Sequence, residues 1–366
     1  MDLFNNPMVL ILLAFLLGCL LARIMPEVLA FALAGLAISS RIFAAGNTAY
    51  IVYLVYFALA LAAYLTGNAF PWRRLEIIRG KMYKLFFSVA LAYGLLLGLV
   101  SLLFWWLGWL ETLRPWLIYF TLAFGLISYR EPWKRMLSMS VRGPMSLVLQ
   151  QLSALSAFVT LAVLSVTLEY QGVLPILRNM LYALIFFCLW LGFIRCAKLS
   201  PASMLSRGLQ FGFLYWLVAS AGNFSFIAGA LTLGLANALT GIKILDARSK
   251  LDLWKMLTAT VFILICGLQQ LEFSWFILGV AVLIWLLRFA LFYLYNLLAY
   301  ICLFGRDFVR RSNFGLQISD CLLVLFAFLL QEPQILSVFV LVVIIEQLLY
   351  PILLKHVLVQ SGETES

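Results

Sequence analysis

Histidine is almost absent from this chain: His356, near the C-terminal end, is the single one in 366 residues. Charge is scarce as well, at 11% of residues, and only 15 residues are acidic. The six cysteines (Cys19, Cys188, Cys196, Cys266, Cys302 and Cys321) stand singly, with no C-x-x-C pair among them. Each scarcity removes a chemistry. One terminal histidine argues against a Ser-His relay and against a histidine metal centre. Unpaired cysteines give neither a zinc site nor a disulfide framework, and a lone Cys in an apolar segment behaves as a small hydrophobe. Neither a metal nor an organic cofactor is expected, and nothing points to an enzyme. No polar stretch is long enough for a soluble domain between the apolar runs.

What fills the chain is hydrophobe, 65% of residues, in run after run of spanning length. A span needs about 20 mostly apolar residues, and closed barrels show weak alternation instead of solid apolar runs. The expected fold class is therefore an all-α polytopic membrane protein. Breaks at Pro, Gly and charge clusters divide it into thirteen segments: 8–22, 28–43, 49–66, 85–107, 113–129, 144–168, 174–194, 208–221, 223–240, 253–270, 273–303, 313–331 and 334–354. The first lacks a basic leader and a small-x-small cleavage site, so it reads as a retained span. Residues 1–356 then form one transmembrane domain, and 357–366 a short cytoplasmic tail.

Charge placement supplies an independent check. With the N-terminus outside and the C-terminus cytoplasmic, all of the 25 lysines and arginines but Arg41, Arg114, Arg178 and Arg288 fall in cytoplasmic connections. Short cytoplasmic loops collect Lys and Arg, so the net charge of +10 reads as loop topology in the plasma (inner) membrane, not as nucleic-acid binding. The stretch PWRRLEIIRGKMYK (71–84) reads as an interfacial connector whose cations meet anionic headgroups of the bilayer.

Polar groups inside the apolar runs are the candidate functional residues, because they are costly in hydrocarbon. Gln150, Gln151 and Ser153 stand together in VLQQLSALSAF (148–158). Arg288 lies at the centre of 273–303 and needs a partner. Asp320, about 12 Å into its segment at helical rise, is the first candidate; Glu346 in VVIIEQLLY is the second. Asn223, in GNFSFIAG (222–229), lies close to mid-membrane. Against each stands a plainer role: interhelical glue for the amides, small-residue packing for 222–229, and a structural ion pair for Arg288.

Five stretches in order carry a family resemblance: ARIMPEVLAFALAGLAIS (22–39), YFALALAAYLTGNAFPWRRLEIIRG (56–80), the run from ALTLGLANALTG through VFILICG (230–267), LLRFALFYLYNLLA (286–299) and LQISDCLLVLFAF (316–328). Over roughly residues 8–356 the chain resembles the membrane domain of the monovalent cation:proton antiporter-2 family, which includes the glutathione-gated potassium efflux systems. The resemblance implies two inverted repeats, about 8–168 and 208–356, joined by a linker helix at 174–194, with discontinuous helices crossing near the midplane. It matches Gln150 to the Gln of the family's Gln-Asp pair and puts Gln151 where the family carries its ion- and proton-binding aspartate. Gln317 and Asp320 match the Gln and Glu of its "Q-x-G-E-F" helix, while Ser319 and Cys321 depart from the Gly and Phe. The family's cation on the eleventh helix matches Arg288, and inverted symmetry makes Glu346 the counterpart of the helix-six site. An amide does not exchange protons at physiological pH, so the familiar carboxylate cycle cannot run through Gln151. The expected function is secondary transport of monovalent cations or protons with a relocated site. The alternative is a transport-silent membrane subunit, sensor or scaffold, acting as a homodimer or through a partner membrane protein.

Overall fold

The computed structural model describes residues 7–25, 27–43, 48–70, 157–162, 165, 173–220, 225–242, 244–245, 253, 259, 263, 271–304 and 333–360. Among them every regular element is a helix. Eight are long: α1 (Pro7–Leu21), α2 (Glu27–Phe43), α3 (Thr48–Asn68), α4 (Val173–Cys196), α5 (Met204–Ser220), α6 (Phe226–Thr240), α7 (Trp275–Phe304) and α8 (Pro333–Gln360). Two stretches, Val173–Cys196 and Leu336–His356, are long and apolar enough to cross a membrane. The expected segments 85–107, 113–129 and 313–331 lie outside the described residues, as do most of 144–168 and 253–270.

Helices α3 and α6 form the centre of a four-helix group with α4 and α5. In α3 every residue from Ala58 to Gly67 is buried. Alanine and glycine make this closeness available: a Cβ on Gly234 would collide with the carbonyl of Tyr64, and one on Gly67 with the carbonyl of Leu231. Small residues that let backbones touch are the usual means by which apolar helices associate in lipid, where no hydrophobic effect separates one apolar surface from another. Hydroxyls within these helices bond back to their own backbone, as Thr66 does to the Ala62 carbonyl at 2.9 Å and Thr232 to Ala228 at 2.8 Å.

Contacts along the helices fix their directions. Tyr56 meets Phe226 and Tyr64 meets Gly234, so α3 and α6 run parallel. Phe57 meets Tyr215 while Tyr64 meets Gln210, so α3 and α5 are antiparallel. Tyr182–Trp216, Phe186–Phe213 and Trp190–Ser206 make α4 and α5 an antiparallel hairpin. By these relations α3, α4 and α6 share one direction. Helices α7 and α8 also run parallel: the Glu272 amide just ahead of α7 donates to Ser337 near the start of α8, and Arg288 meets Glu346 further along both. In α1 and α2 the ring of Phe31 stacks on Phe15 and fills the space above Gly18.

The helix ends follow local chemistry. Helix α6 stops at Gly241, whose φ of 70° is the left-handed conformation that glycine adopts without a Cβ penalty, and its N–H reaches the Ala238 carbonyl. Helix α4 stops with Lys198 in the same conformation, φ 51°, closed by Leu199 N–H to the Ile194 carbonyl at 3.0 Å.

Candidate functional site

Helix α7 buries Ile277, Ala281, Ile284 and Arg288, at successive spacings of four, three and four residues. That stripe is the face a helix presents to a packed neighbour, and α8 is the neighbour it meets. Arg288 therefore enters the interior because of its place in the stripe. Helix α8 answers with Val343, Glu346 and Tyr350, also three and four apart and all buried. Arg288 Nε donates to Glu346 Oε1 at 2.8 Å, with the side chains 1% and 4% exposed. Each residue lies thirteen positions beyond the first of its helix, about 20 Å along the axis. In parallel helices this places both charges at the same level, roughly midway. Gln347 is buried beside them, and Pro351 lies within α8 one turn further on.

The burial of both charges requires their pairing. Removing either ion from water costs several kcal/mol in real proteins, and mutual attraction with good geometry offsets it. Glu346, the second of the two partners considered from sequence, is bonded to Arg288. Asp320, the first, lies outside the described residues, together with Gln317, Gln150, Gln151, Ser153 and Asn223.

A second polar cluster went unnoticed in the sequence. Tyr64 on α3 donates its hydroxyl to Gln210 Oε1 on α5 at 2.7 Å. Asn237 on α6 donates to that same Oε1 at 3.1 Å and to the Tyr64 oxygen at 3.4 Å, and Gln210 Nε2 returns a bond to Asn237 Oδ1 at 3.4 Å. All three are buried. One turn along α3, the buried Asn68 Nδ2 has no hydrogen-bond partner among the described residues. Two further bonds link the group: Asn179 to Ser225 at 2.6 Å between α4 and the start of α6, and Trp190 Nε1 to Ser206 at 3.0 Å across the α4–α5 hairpin. The available signal was the one that singled out Gln150 and Asn223, an amide inside an apolar run; Gln210 and Asn237 carry it equally.

Chemically the two clusters differ. The Tyr64–Gln210–Asn237 cluster is neutral and joins three helices. The Arg288–Glu346 pair holds a carboxylate that can take a proton beside a cation that cannot lose one, since guanidinium stays charged in proteins. No group of three or more His, Cys, Asp or Glu side chains suited to a metal ion occurs among the described residues. No protein-family model matches this chain, and no curated protein matches it.

Proposed function

We propose that this chain is a polytopic membrane transporter of monovalent cations or protons, of the antiporter type with thirteen spans, in which Glu346 is the ionisable centre and Arg288 its fixed counter-charge. The observation that carries the reading is the buried 2.8 Å pair midway along two parallel apolar helices. Ionisable groups at such depth are functional by default, because burial makes them expensive to keep as packing. Protonation of Glu346 weakens its bond to Arg288, and a cation that competes for the carboxylate displaces the guanidinium from it. Either event repacks α7 against α8, which is the kind of two-state element that alternating access needs. Gln151, at the position where the resembled family carries its acid, holds no proton and is assigned a supporting polar role.

Helix directions support the span count. Parallel α3 and α4 require an odd number of crossings between them, and the expectation has three; parallel α7 and α8 require the same, and the expectation has one. On that topology the C-terminal ends of α3, α4, α6, α7 and α8 face the cytoplasm of a cell whose inner membrane holds the chain.

The test is flux in proteoliposomes with a lumenal pH dye, challenged with K⁺, Na⁺ or Li⁺. Wild-type exchange that disappears in Glu346→Gln and survives in Asp320→Asn is the expected result. Exchange that persists undiminished in Glu346→Gln removes Glu346 from the mechanism. A second reading, a transport-silent membrane subunit or scaffold, is favoured by the amide at Gln151 and by the closed ion pair as a simple brace. Its signature is silence of the wild type in vesicles where a working antiporter gives a signal.

A further inference from the structure

The α4–α5 hairpin ends in three cations. Arg195, in the last turn of α4, and Lys198, in the turn itself, are exposed. Arg207, in the first turn of α5, is half-buried and oriented by a bond from its Nε to the Ile244 carbonyl at 3.2 Å. No described carboxylate pairs with any of them. The turn that presents them is tied down: Leu199 and Lys198 amides close on Ile194 and Arg195, and the Ser206 amide bonds the Ser203 hydroxyl. Lys198 holds a left-handed backbone conformation in which glycine is the usual residue, so a cation stands there at a conformational cost.

Immediately behind these charges the outer faces of both helices are bare and apolar. Leu189 is 69% exposed and Leu205 54%, with Phe193 and Leu209 also exposed. Glycines break the relief: an added Cβ at Gly192, Gly208 or Gly212 would meet nothing within 4 Å. A surface that is cationic at one end and apolar with shallow gaps along its length matches an amphiphile of opposite charge. Water-soluble phosphate satisfies the cations alone, and a neutral lipid satisfies the apolar face alone.

We infer that the α4–α5 hairpin is a binding site for an anionic phospholipid, its phosphate on Arg195, Lys198 and Arg207 and its acyl chains along the glycine-notched outer faces of α4 and α5. The inference rests on the membrane-spanning reading of these helices and does not require transport. It makes the lipid a clamp on the hairpin that braces the central α3–α6 pair.

The experiment uses the full chain, purified and delipidated in a mild detergent, with thermal unfolding followed during titration with phosphatidylglycerol, phosphatidylcholine or chain-free glycerol phosphate. Native mass spectrometry counts retained lipid in parallel. Phosphatidylglycerol is expected to raise the unfolding temperature at the lowest concentration. Its half-saturating concentration should rise about fivefold for each charge removed near the surface, read first in R195Q/K198Q, where neither side chain makes a structural bond, and then with R207Q added. Equal stabilisation by phosphatidylcholine, an unchanged half-saturation in R195Q/K198Q, or equal stabilisation by glycerol phosphate each overturns the proposal. Recovery of the chain as a soluble protein without detergent overturns it together with the membrane reading; loss of lipid discrimination alone leaves that reading standing.

Discussion

A buried ion pair is held by mutual need. Arg288 and Glu346 are both buried, and breaking a buried pair by removing one member typically costs about 3–5 kcal/mol, whereas removing both in favour of apolar side chains of similar volume is often neutral or stabilising. Arg288→Met and Glu346→Leu should therefore each lower the unfolding temperature in detergent strongly, and the double variant should recover most of the loss. Near-neutral single variants would show that the pair is not mutually dependent. Function separates from stability in that same double variant: a brace loses nothing essential, while a proton-handling pair loses flux despite restored folding. The neutral cluster gives a graded contrast. Asn237→Leu leaves Tyr64 bonded to Gln210 but takes the acceptor from the buried Gln210 Nε2 and should cost about 1–3 kcal/mol, but Asn68→Leu removes an amide nitrogen that bonds nothing described and should be neutral or stabilising. Equal destabilisation by both would contradict the bonding seen here. At this scale sequence identifies which residues are polar within apolar runs but not whom they meet. Tyr64 and Asn237 are 173 positions apart, and no local pattern announces such a pairing.

Helix existence was far more legible than side-chain pairing, because it rests on local periodicity and length. Segments expected at 8–22, 28–43, 49–66 and 174–194 appear as Pro7–Leu21, Glu27–Phe43, Thr48–Asn68 and Val173–Cys196. The division of 208–240 also holds, as Met204–Ser220 and Phe226–Thr240. The last helix runs to Gln360, past the end at 354 that the charge of Lys355 suggests, because a charged side chain exposed on a helix does not by itself end the backbone hydrogen bonding. Packing of α3 on α6 is set by two glycines whose importance no propensity shows. Gly234→Ala forces a methyl into the Tyr64 carbonyl, with backbone on both sides and no flexible atom to yield. It should destabilise by about 1–3 kcal/mol or more, as overpacking does, whereas Gly208→Ala, with open space around it, should be neutral or stabilising through helix propensity. Comparable unfolding temperatures for the two variants would mean that α3 and α6 do not touch as described.

Direction is the property that ties the elements into one molecule. Each helix contact reports only whether two neighbours run together or opposed, yet on the membrane-spanning reading proposed above these local relations constrain the number of crossings between them. Charge placement agrees with the thirteen-span reading: α4 ends and α5 begins among Arg195, Lys198 and Arg207, and Lys355 is exposed near the end of α8. The beginnings of α7 and α8, joined through Glu272 and Ser337, belong to the opposite surface on the thirteen-span reading. Single cysteines placed at Lys198, His356 and Glu272 in a background without the native six therefore report the topology directly. All three native positions are exposed, so labelling depends on side and not on burial. A membrane-impermeant maleimide applied to intact cells should leave the Lys198 and His356 positions unlabelled and modify the Glu272 position, and inverted vesicles should reverse that pattern. Labelling of the Lys198 and Glu272 positions from one side would break the crossing parity between α4 and α7. It would leave the Arg288–Glu346 contact intact as geometry but take away the odd-span frame on which the proposed alternating access rests.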